Sequence, residues 1–135
     1  MRTPDPITVS VVQHRLTGIV AEMGETMLRT SYSQILNSSR DFSTAICHPD
    51  GRLVAQAEHV PIHVGALPWA AKAVSDRVGE DIHPGDVFLL NDPYHGGSHL
   101  PDLTACLPVF AGKRLLFWTL NRAHHSDIGG ATYGA

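Results

Sequence analysis

The sequence predicts an α+β fold with a long N-terminal helix, a β-hairpin, a second helix and antiparallel strands that carry loops rich in histidine and aspartate. Three observations predict it. Apolar residues recur every three or four positions near the N-terminus, as on one face of an amphipathic helix. An Asp50-Gly51 pair separates two short apolar runs, as in a hairpin. The last third alternates apolar runs with turns, as in paired strands.

The first helix is expected to begin after Asp5 and to end near Arg29. The Asp5 side chain can accept a hydrogen bond from a free amide at the helix start, and Pro6 has a φ already suited to a helix. The apolar stripe of this helix is formed by Val9, Val12, Leu16, Ile19, Val20, Met23 and Met27. Such a stripe either packs on the core or binds a partner.

The middle of the chain is expected to contain a hairpin and a short helix. After a polar link at residues 31–40, strands are predicted at Phe42–Cys47 and at residues 52–57, around the Asp-Gly turn. A helix is predicted at residues 65–78, because apolar residues recur there at helical spacing and Gly79 can end the helix.

Antiparallel strands are predicted in the last third, at residues 86–90, 103–110 and 114–120. The polar side chains lie in the loops that follow strands, at residues 91–102 and 121–130. Loops presented by a rigid sheet are where binding and catalytic residues concentrate. We therefore look for a functional site in these two loops.

Composition argues against several classes of protein. Ten Lys+Arg against 13 Asp+Glu give a net charge of −3, so we expect no nucleic-acid partner. No apolar stretch approaches the roughly 20 residues that span a bilayer, so we expect no membrane partner. Cys47 and Cys106 lie in apolar runs and are predicted to be buried thiols of a cytoplasmic protein. Histidine is unusually common, with nine in the 135-residue chain.

Two imidazoles and one carboxylate are predicted to meet in a metal site. If the last two predicted strands pair as a hairpin, the end of the second returns beside the start of the first. His124 would then lie near His99 and Asp102. Such a set leaves positions open for water or substrate, as a catalytic divalent metal such as Mn or Zn requires. Histidines that only form loop hydrogen bonds are the alternative, because the spacing is moderately specific.

Five further residues are candidates for the same site. We assign Asp41, His125 and Asp127 as candidate catalytic residues, and His63 and Asp92 as candidate residues of the substrate pocket. Each has a plainer alternative. Asp41 could form a surface ion pair, Asp92 and Asp127 could stabilise turns, and either histidine could be a hydrogen-bonding loop residue.

Several blocks of the sequence resemble one protein family. They include Arg40-Asp41-Phe42-Ser43, Pro61-Ile62-His63-Val64-Gly65, Asn91-Asp92-Pro93-Tyr94, His99-Leu100-Pro101-Asp102 and Asn121-Arg122-Ala123-His124-His125-Ser126-Asp127-Ile128-Gly129-Gly130. On these blocks the chain resembles the N-terminal part of the hydantoinase B/oxoprolinase family. This family includes the B subunits of ATP-dependent hydantoinases and 5-oxoprolinases, and the related large subunit of acetone carboxylase.

The resemblance implies a B-type subunit that hydrolyses a cyclic amide, such as a hydantoin or 5-oxoproline, after an A-type subunit has activated it with ATP. In the related acetone carboxylase subunit the metal is held by a His, an Asp three residues on and a later His, which match His99, Asp102 and His124. A hetero-oligomer is therefore expected. Two alternatives stay open: a carboxylase-type large subunit acting on a small ketone, and a non-catalytic assembly fragment that docks through the first helix.

The resemblance also bears on domain organisation. Family B subunits are several times longer than this chain, so residues 1–135 are expected to be the N-terminal segment of a larger subunit. The sequence contains no Gly-x-x-x-x-Gly-Lys-Ser/Thr phosphate-binding loop. ATP is therefore expected to bind to the partner subunit.

Overall fold

The computed structural model describes residues 4–57 and 60–132, and it confirms the predicted α+β class. The helices are α1 (Pro6–Thr30), α2 (Gln34–Ser39) and α3 (Pro61–Val78). The strands are β1 (Phe42–Cys47), β2 (Leu53–Ala57), β3 (Phe88–Leu90), β4 (Asp102–Ala111) and β5 (Arg114–His124). The predicted hairpin corresponds to β1 and β2, with β1 at its predicted bounds.

All five strands form one antiparallel sheet in the order β2-β1-β5-β4-β3. The β1-β2 hairpin and the β4-β5 hairpin are therefore halves of one sheet. They are joined by β1 against β5, where Phe42 pairs with Ala123. The sequence predicted the two local pairs but left this junction open, because it joins segments that are far apart in the chain.

Helix α1 begins as predicted, with the Asp5 carboxylate accepting a hydrogen bond from the Thr8 amide at 3.1 Å. Its second half packs on β1 and β2 through the fully buried Val20. In its first half Val9 and Val12 are 51% and 50% exposed. The predicted stripe therefore lies partly in the core and partly on the exposed surface.

Across the part of the chain that the structure describes, neither α1 nor any other helix is long and apolar enough to cross a membrane.

The helices cover both faces of the sheet. Successive residues of a strand point to opposite faces, so Ile46 packs under α1 whereas Ala45 and Cys47 pack under α3. The core under α3 is formed by Ala45, Cys47, Leu67, Ala70, Ala71, Val74, Cys106, Trp118 and Leu120. The sheet is therefore a rigid middle layer, and its α3 face continues into the predicted site.

One helix was not predicted, and another begins earlier than predicted. Helix α2 occupies part of residues 31–40, which we expected to be a polar link, because Leu36 is buried against the sheet. Helix α3 begins at Pro61 rather than at residue 65. A proline in the first turn of a helix loses no hydrogen bond, so Pro61 starts the helix instead of breaking it. The sequence favours a loop at His59, just before Pro61, and His59 lies outside the described residues.

Both cysteines are buried and unpaired, as predicted. Burial raises the pKa of Cys47 and of Cys106 to about 12, and the thiolate is the reactive form of cysteine. We therefore expect no labelling of either thiol by an alkylating reagent at pH 8 in the folded protein, and labelling of both in denaturant. Peptide mass spectrometry checks this result. A label on either cysteine before unfolding would contradict it.

Candidate metal centre

The predicted metal ligands meet where β4 begins and β5 ends. Asp102, the first residue of β4, pairs with His124, the last residue of β5, so both side chains lie on one face of the sheet. Both strands extend beyond the predicted residues 103–110 and 114–120. Two of the ligands are therefore on strands and not in loops as expected. His99 lies in the loop that leads into β4.

Asp102 is the centre of this cluster and is fully buried. Its Oδ2 atom lies 3.0 Å from His99 Nδ1 and 3.1 Å from His63 Nε2. Its Oδ1 atom lies 3.1 Å from His124 Nδ1, and the Ser98 hydroxyl donates a hydrogen bond to Oδ2. Four side chains thus face one carboxylate: Ser98 and His124 form hydrogen bonds with it, and His63 and His99 lie at ion-pair distance. This buried charge is therefore well compensated.

These contacts set the charge of the cluster. Burial by itself raises the pKa of Asp102, but the Ser98 hydrogen bond and the neighbouring His63, His124 and His99 together outweigh burial, and the pKa is lowered overall. Burial lowers the pKa of His63, and the opposing charges of Asp102 and Asp41 do not restore it. At neutral pH the centre therefore holds a neutral His63 imidazole beside the Asp102 carboxylate, and the carboxylate is the state in which Asp102 can bind a metal.

The geometry of three side chains fits a divalent metal. Ligand atoms of His99, Asp102 and His124 all lie within 4.8 Å of one another. Atoms bound to one ion at about 2.1 Å are themselves separated by roughly 3 to 4 Å, so this spacing suits a shared ion. The two imidazole rings stack with centroids 5.0 Å apart. The His99 side chain is 51% exposed and that of His124 is 26% exposed, so the set is open to solvent.

The loop that carries His99 packs tightly, and two glycines make this possible. A Cβ atom on Gly96 would lie 2.9 Å from Ala70 Cα in α3, and one on Gly97 would lie 2.6 Å from the carbonyl oxygen of Asp92. Gly96 also has a φ of 90°, which residues with side chains rarely adopt. Only glycine therefore fits at these two positions.

Two further candidates reach the cluster from other elements. His63 lies in the first turn of α3, not before a helix as expected, and its buried ring faces Asp102. Asp41 lies between α2 and β1, and its Oδ1 atom is 3.7 Å from His63 Nε2. The carbonyl oxygen of Asp41 accepts a hydrogen bond from the His124 amide at 3.0 Å. Asp41 is therefore held beside the cluster while its side chain stays one-third exposed.

Three candidates lie apart from the cluster. His125 lies towards the opposite face of the sheet, where it lines a pocket of 290 Å³ with residues of α1 and α2. The Asp127 carboxylate accepts a hydrogen bond from the Gly129 amide in an exposed turn. The exposed Asp92 carboxylate lies 2.6 Å from His95 Nδ1. The catalytic roles of His125 and Asp127 and the pocket role of Asp92 stay predictions.

Ser98 is a site residue that our sequence analysis missed. Its hydroxyl contacts Asp102, yet a serine after two glycines is typical of any loop. The feature of the sequence that could have identified Ser98 as a site residue is its position directly before His99. The sequence analysis also placed His63 in the pocket wall without predicting its contact with Asp102.

The chain is similar to known proteins over nearly its whole length. The profile of the Hydantoinase B/oxoprolinase family matches residues 5–135. The chain is 44% identical over 131 residues to 5-oxoprolinase 1 of Arabidopsis thaliana, an alignment that covers 97% of this chain and 10% of that protein. The structure matches the ATP-dependent caprolactamase from Pseudomonas jessenii with a TM-score of 0.87 and 39% identity, over 97% of this chain and 23% of that one.

A second solved structure, nucleotide-free acetone carboxylase, matches with a TM-score of 0.87 and 25% identity, over 96% of this chain and 17% of that one. The chain thus spans about a tenth of the 5-oxoprolinase and less than a quarter of either solved chain. Within that span the family profile covers nearly every residue, including all three candidate ligands. The chain belongs to the hydantoinase B/oxoprolinase family.

Proposed function

We propose that this chain carries the metal centre of an ATP-dependent enzyme that hydrolyses a cyclic amide, as a B-type subunit in a hetero-oligomer with an A-type ATP-binding subunit. The observation that carries the proposal is the convergence of His99 and His124 on the buried Asp102 at a solvent-open edge of the sheet. The relatives supply the substrate class, because one is a 5-oxoprolinase and another an ATP-dependent caprolactamase.

In this proposal His99, Asp102 and His124 hold a divalent ion, Mn or Zn. The bound ion would supply Lewis acidity towards water or a carbonyl oxygen. Asp102 contributes the negative charge of the ligand set. His63 Nε2, 3.1 Å away, and the Ser98 hydroxyl fix the orientation of the Asp102 carboxylate.

Asp41 is the proposed proton acceptor. Its carboxylate is one-third exposed and lies at the edge of the cluster, where an incoming water can reach it.

The proposed hydrolysis has two stages. Water adds to the carbon of the phosphorylated amide, the C–N bond breaks, and the nitrogen takes a proton. A second water then releases inorganic phosphate from the acyl phosphate. The proton that Asp41 accepts can return to the leaving nitrogen, because His125, Asp127 and Asp92 lie apart from the cluster.

The phosphorylation step is assigned to the partner subunit. The sequence has no P-loop to hold the phosphates of ATP. We therefore propose that the A-type subunit transfers the γ-phosphoryl group to the amide oxygen, and that this chain acts on the product.

Removal of either histidine ligand should remove the metal. We expect about one divalent ion per wild-type chain in the purified complex, and loss of this ion in His99→Ala and His124→Ala, because each variant leaves two of three protein ligands. Elemental analysis by mass spectrometry measures the ion. His83→Ala is the matched control, since His83 is an exposed histidine whose ring lies beside the surface residues Asp81 and Asp86. A wild-type complex without stoichiometric metal would overturn the proposal.

Substrate assays separate hydrolase from carboxylase. The hydrolase is favoured because the oxoprolinase and caprolactamase relatives are 44% and 39% identical, against 25% for acetone carboxylase. We expect the complex to hydrolyse ATP when given 5-oxoproline, hydantoin or caprolactam, but not when given acetone with bicarbonate. Stimulation by acetone alone would favour the carboxylase.

The exposed first half of α1 supports the assembly alternative, in which the chain only binds a partner. That alternative requires that Val9→Glu with Val12→Glu abolish co-purification of the partner. It also requires that His99→Ala and His124→Ala leave turnover unchanged. Loss of turnover in the histidine variants, with assembly intact, would exclude it.

A further inference from the structure

We propose that Arg122 is a positioning residue that holds the His99 loop in the geometry that metal binding requires. This inference rests on the proposed function of the centre. It assigns a task to a buried cation that neither the ligand set nor the proposed proton transfers use.

Arg122 is a fully buried cation close to the centre. It lies on β5 two residues before His124, so both side chains are on the same face of the sheet. Burying a guanidinium is costly, and an apolar residue of similar volume would fill the same space without that cost. The charge therefore needs an explanation from its contacts.

The contacts of the guanidinium join three elements. Nε donates to Thr104 Oγ1 at 2.7 Å, and Thr104 is the residue on β4 that pairs with Arg122. Nη2 donates to the carbonyl oxygen of Gly96 at 2.9 Å. Nη1 has no hydrogen-bond partner among the described residues. One planar group thus ties β4, β5 and the loop together through hydrogen bonds to two uncharged partners. The opposite charge near the guanidinium is the Asp102 carboxylate, so the two hydrogen bonds fix its position.

The anchored loop is the one that carries His99. Gly96 packs against α3, where Ala70 leaves no room for a side chain, and its carbonyl oxygen accepts a hydrogen bond from the Arg122 guanidinium. Three residues later, His99 Nδ1 lies 3.0 Å from Asp102. The other two ligands are on paired strands, so His99 is the ligand whose position depends on the loop. Arg122 is therefore the link between the sheet and that ligand.

Hydrogen exchange and metal titration of the full-length protein in its complex test this role. We expect Arg122→Met to speed amide exchange in residues 92–100 of the chelator-treated protein while β4 and β5 stay protected. We expect the same variant to weaken metal binding by about 10- to 100-fold. Arg122→Lys should restore part of the affinity. Arg114→Met, on an exposed residue of the same strand, should change neither measurement.

A double-mutant comparison shows whether Arg122 acts through His99. In a His99→Ala background, titrated at metal concentrations high enough to detect the residual binding by Asp102 and His124, Arg122→Met should change metal affinity by less than about twofold, because the ligand that it positions is gone. An equal loss in both backgrounds would overturn the proposal. So would faster exchange throughout the sheet, or a loosened loop with unchanged affinity.

Two further outcomes are covered: Arg122→Met does not fold, or the wild-type protein binds no metal. If Arg122→Met does not fold, Arg122→Lys and Thr104→Val, which removes the Nε acceptor, replace it in both measurements. If the wild-type protein binds no metal, the proposed function fails, while the exchange data still show whether Arg122 holds the loop.

Discussion

Asp102→Asn will abolish stoichiometric metal binding and with it the proposed hydrolysis. The variant keeps the shape of the side chain but loses the negative charge that two ligand imidazoles and His63 face. Loss of a metal-binding carboxylate should cost more than the 10- to 100-fold that supporting residues contribute, so we expect at least about a hundredfold weaker binding. Metal titration with a competing chelator measures this loss.

The same substitution should also destabilise the metal-free fold. Hydrogen bonds to a charged group contribute about 1.5–3 kcal/mol each, and a buried donor left without its partner costs about 1–3 kcal/mol. We expect a loss of this order in the free energy of unfolding, measured by urea titration of the chelated protein. Asp76→Asn is the matched control, because its carboxylate is 63% exposed on α3. Equal metal binding by Asp102→Asn and Asp76→Asn would contradict the assignment.

Gly97→Ala will displace the His99 loop and lower metal affinity by at least about tenfold, by the same reasoning as for supporting residues. The new Cβ would lie 2.6 Å from the Asp92 carbonyl oxygen, which belongs to the backbone and cannot rotate away. Gly96→Ala should act in the same direction, because its Cβ would meet the α3 backbone at 2.9 Å. Overpacking of this kind typically costs about 1–3 kcal/mol. Metal titration and urea unfolding measure the two effects.

Gly18→Ala is the control for the loop variants. A Cβ on Gly18 meets nothing within 4 Å, and alanine is favoured over glycine in a helix by about 1 kcal/mol. This substitution in α1 should leave metal affinity unchanged and leave stability equal or higher. A Gly97→Ala protein with wild-type affinity would show that the loop adapts, and the rigidity argued for it would be wrong.

The sequence predicted the features that depend on nearby residues. The Asp5 cap, β1 and the Asp-Gly turn follow from short patterns, and the structure contains each of them. The pairing of Asp102 with His124 was also predictable, because a short hairpin brings the ends of its two strands together. The proposed ligand set could therefore be predicted from residues that lie close together in the sequence.

The missed features depend on contacts between distant segments. Pairing of β1 with β5 places Asp41 beside the cluster, and no pattern in either strand specifies that partner. The start of α3 at Pro61, which turns His63 towards Asp102, was missed because proline both starts and breaks helices. Arg122 was missed because the sequence does not show that this cation is buried. Its burial and its hydrogen bond to Gly96 depend on how the loop packs.

The central place of β5 has a consequence for the order in which this protein folds. The β1-β2 and β4-β5 hairpins are local and can form early, whereas β1 meets β5 only after a long loop has closed. The His124 amide bonds to Asp41 across that late junction, while its side chain faces Asp102 within its own hairpin. We therefore expect high metal affinity to appear last during refolding, so that metal uptake reports completion of the sheet.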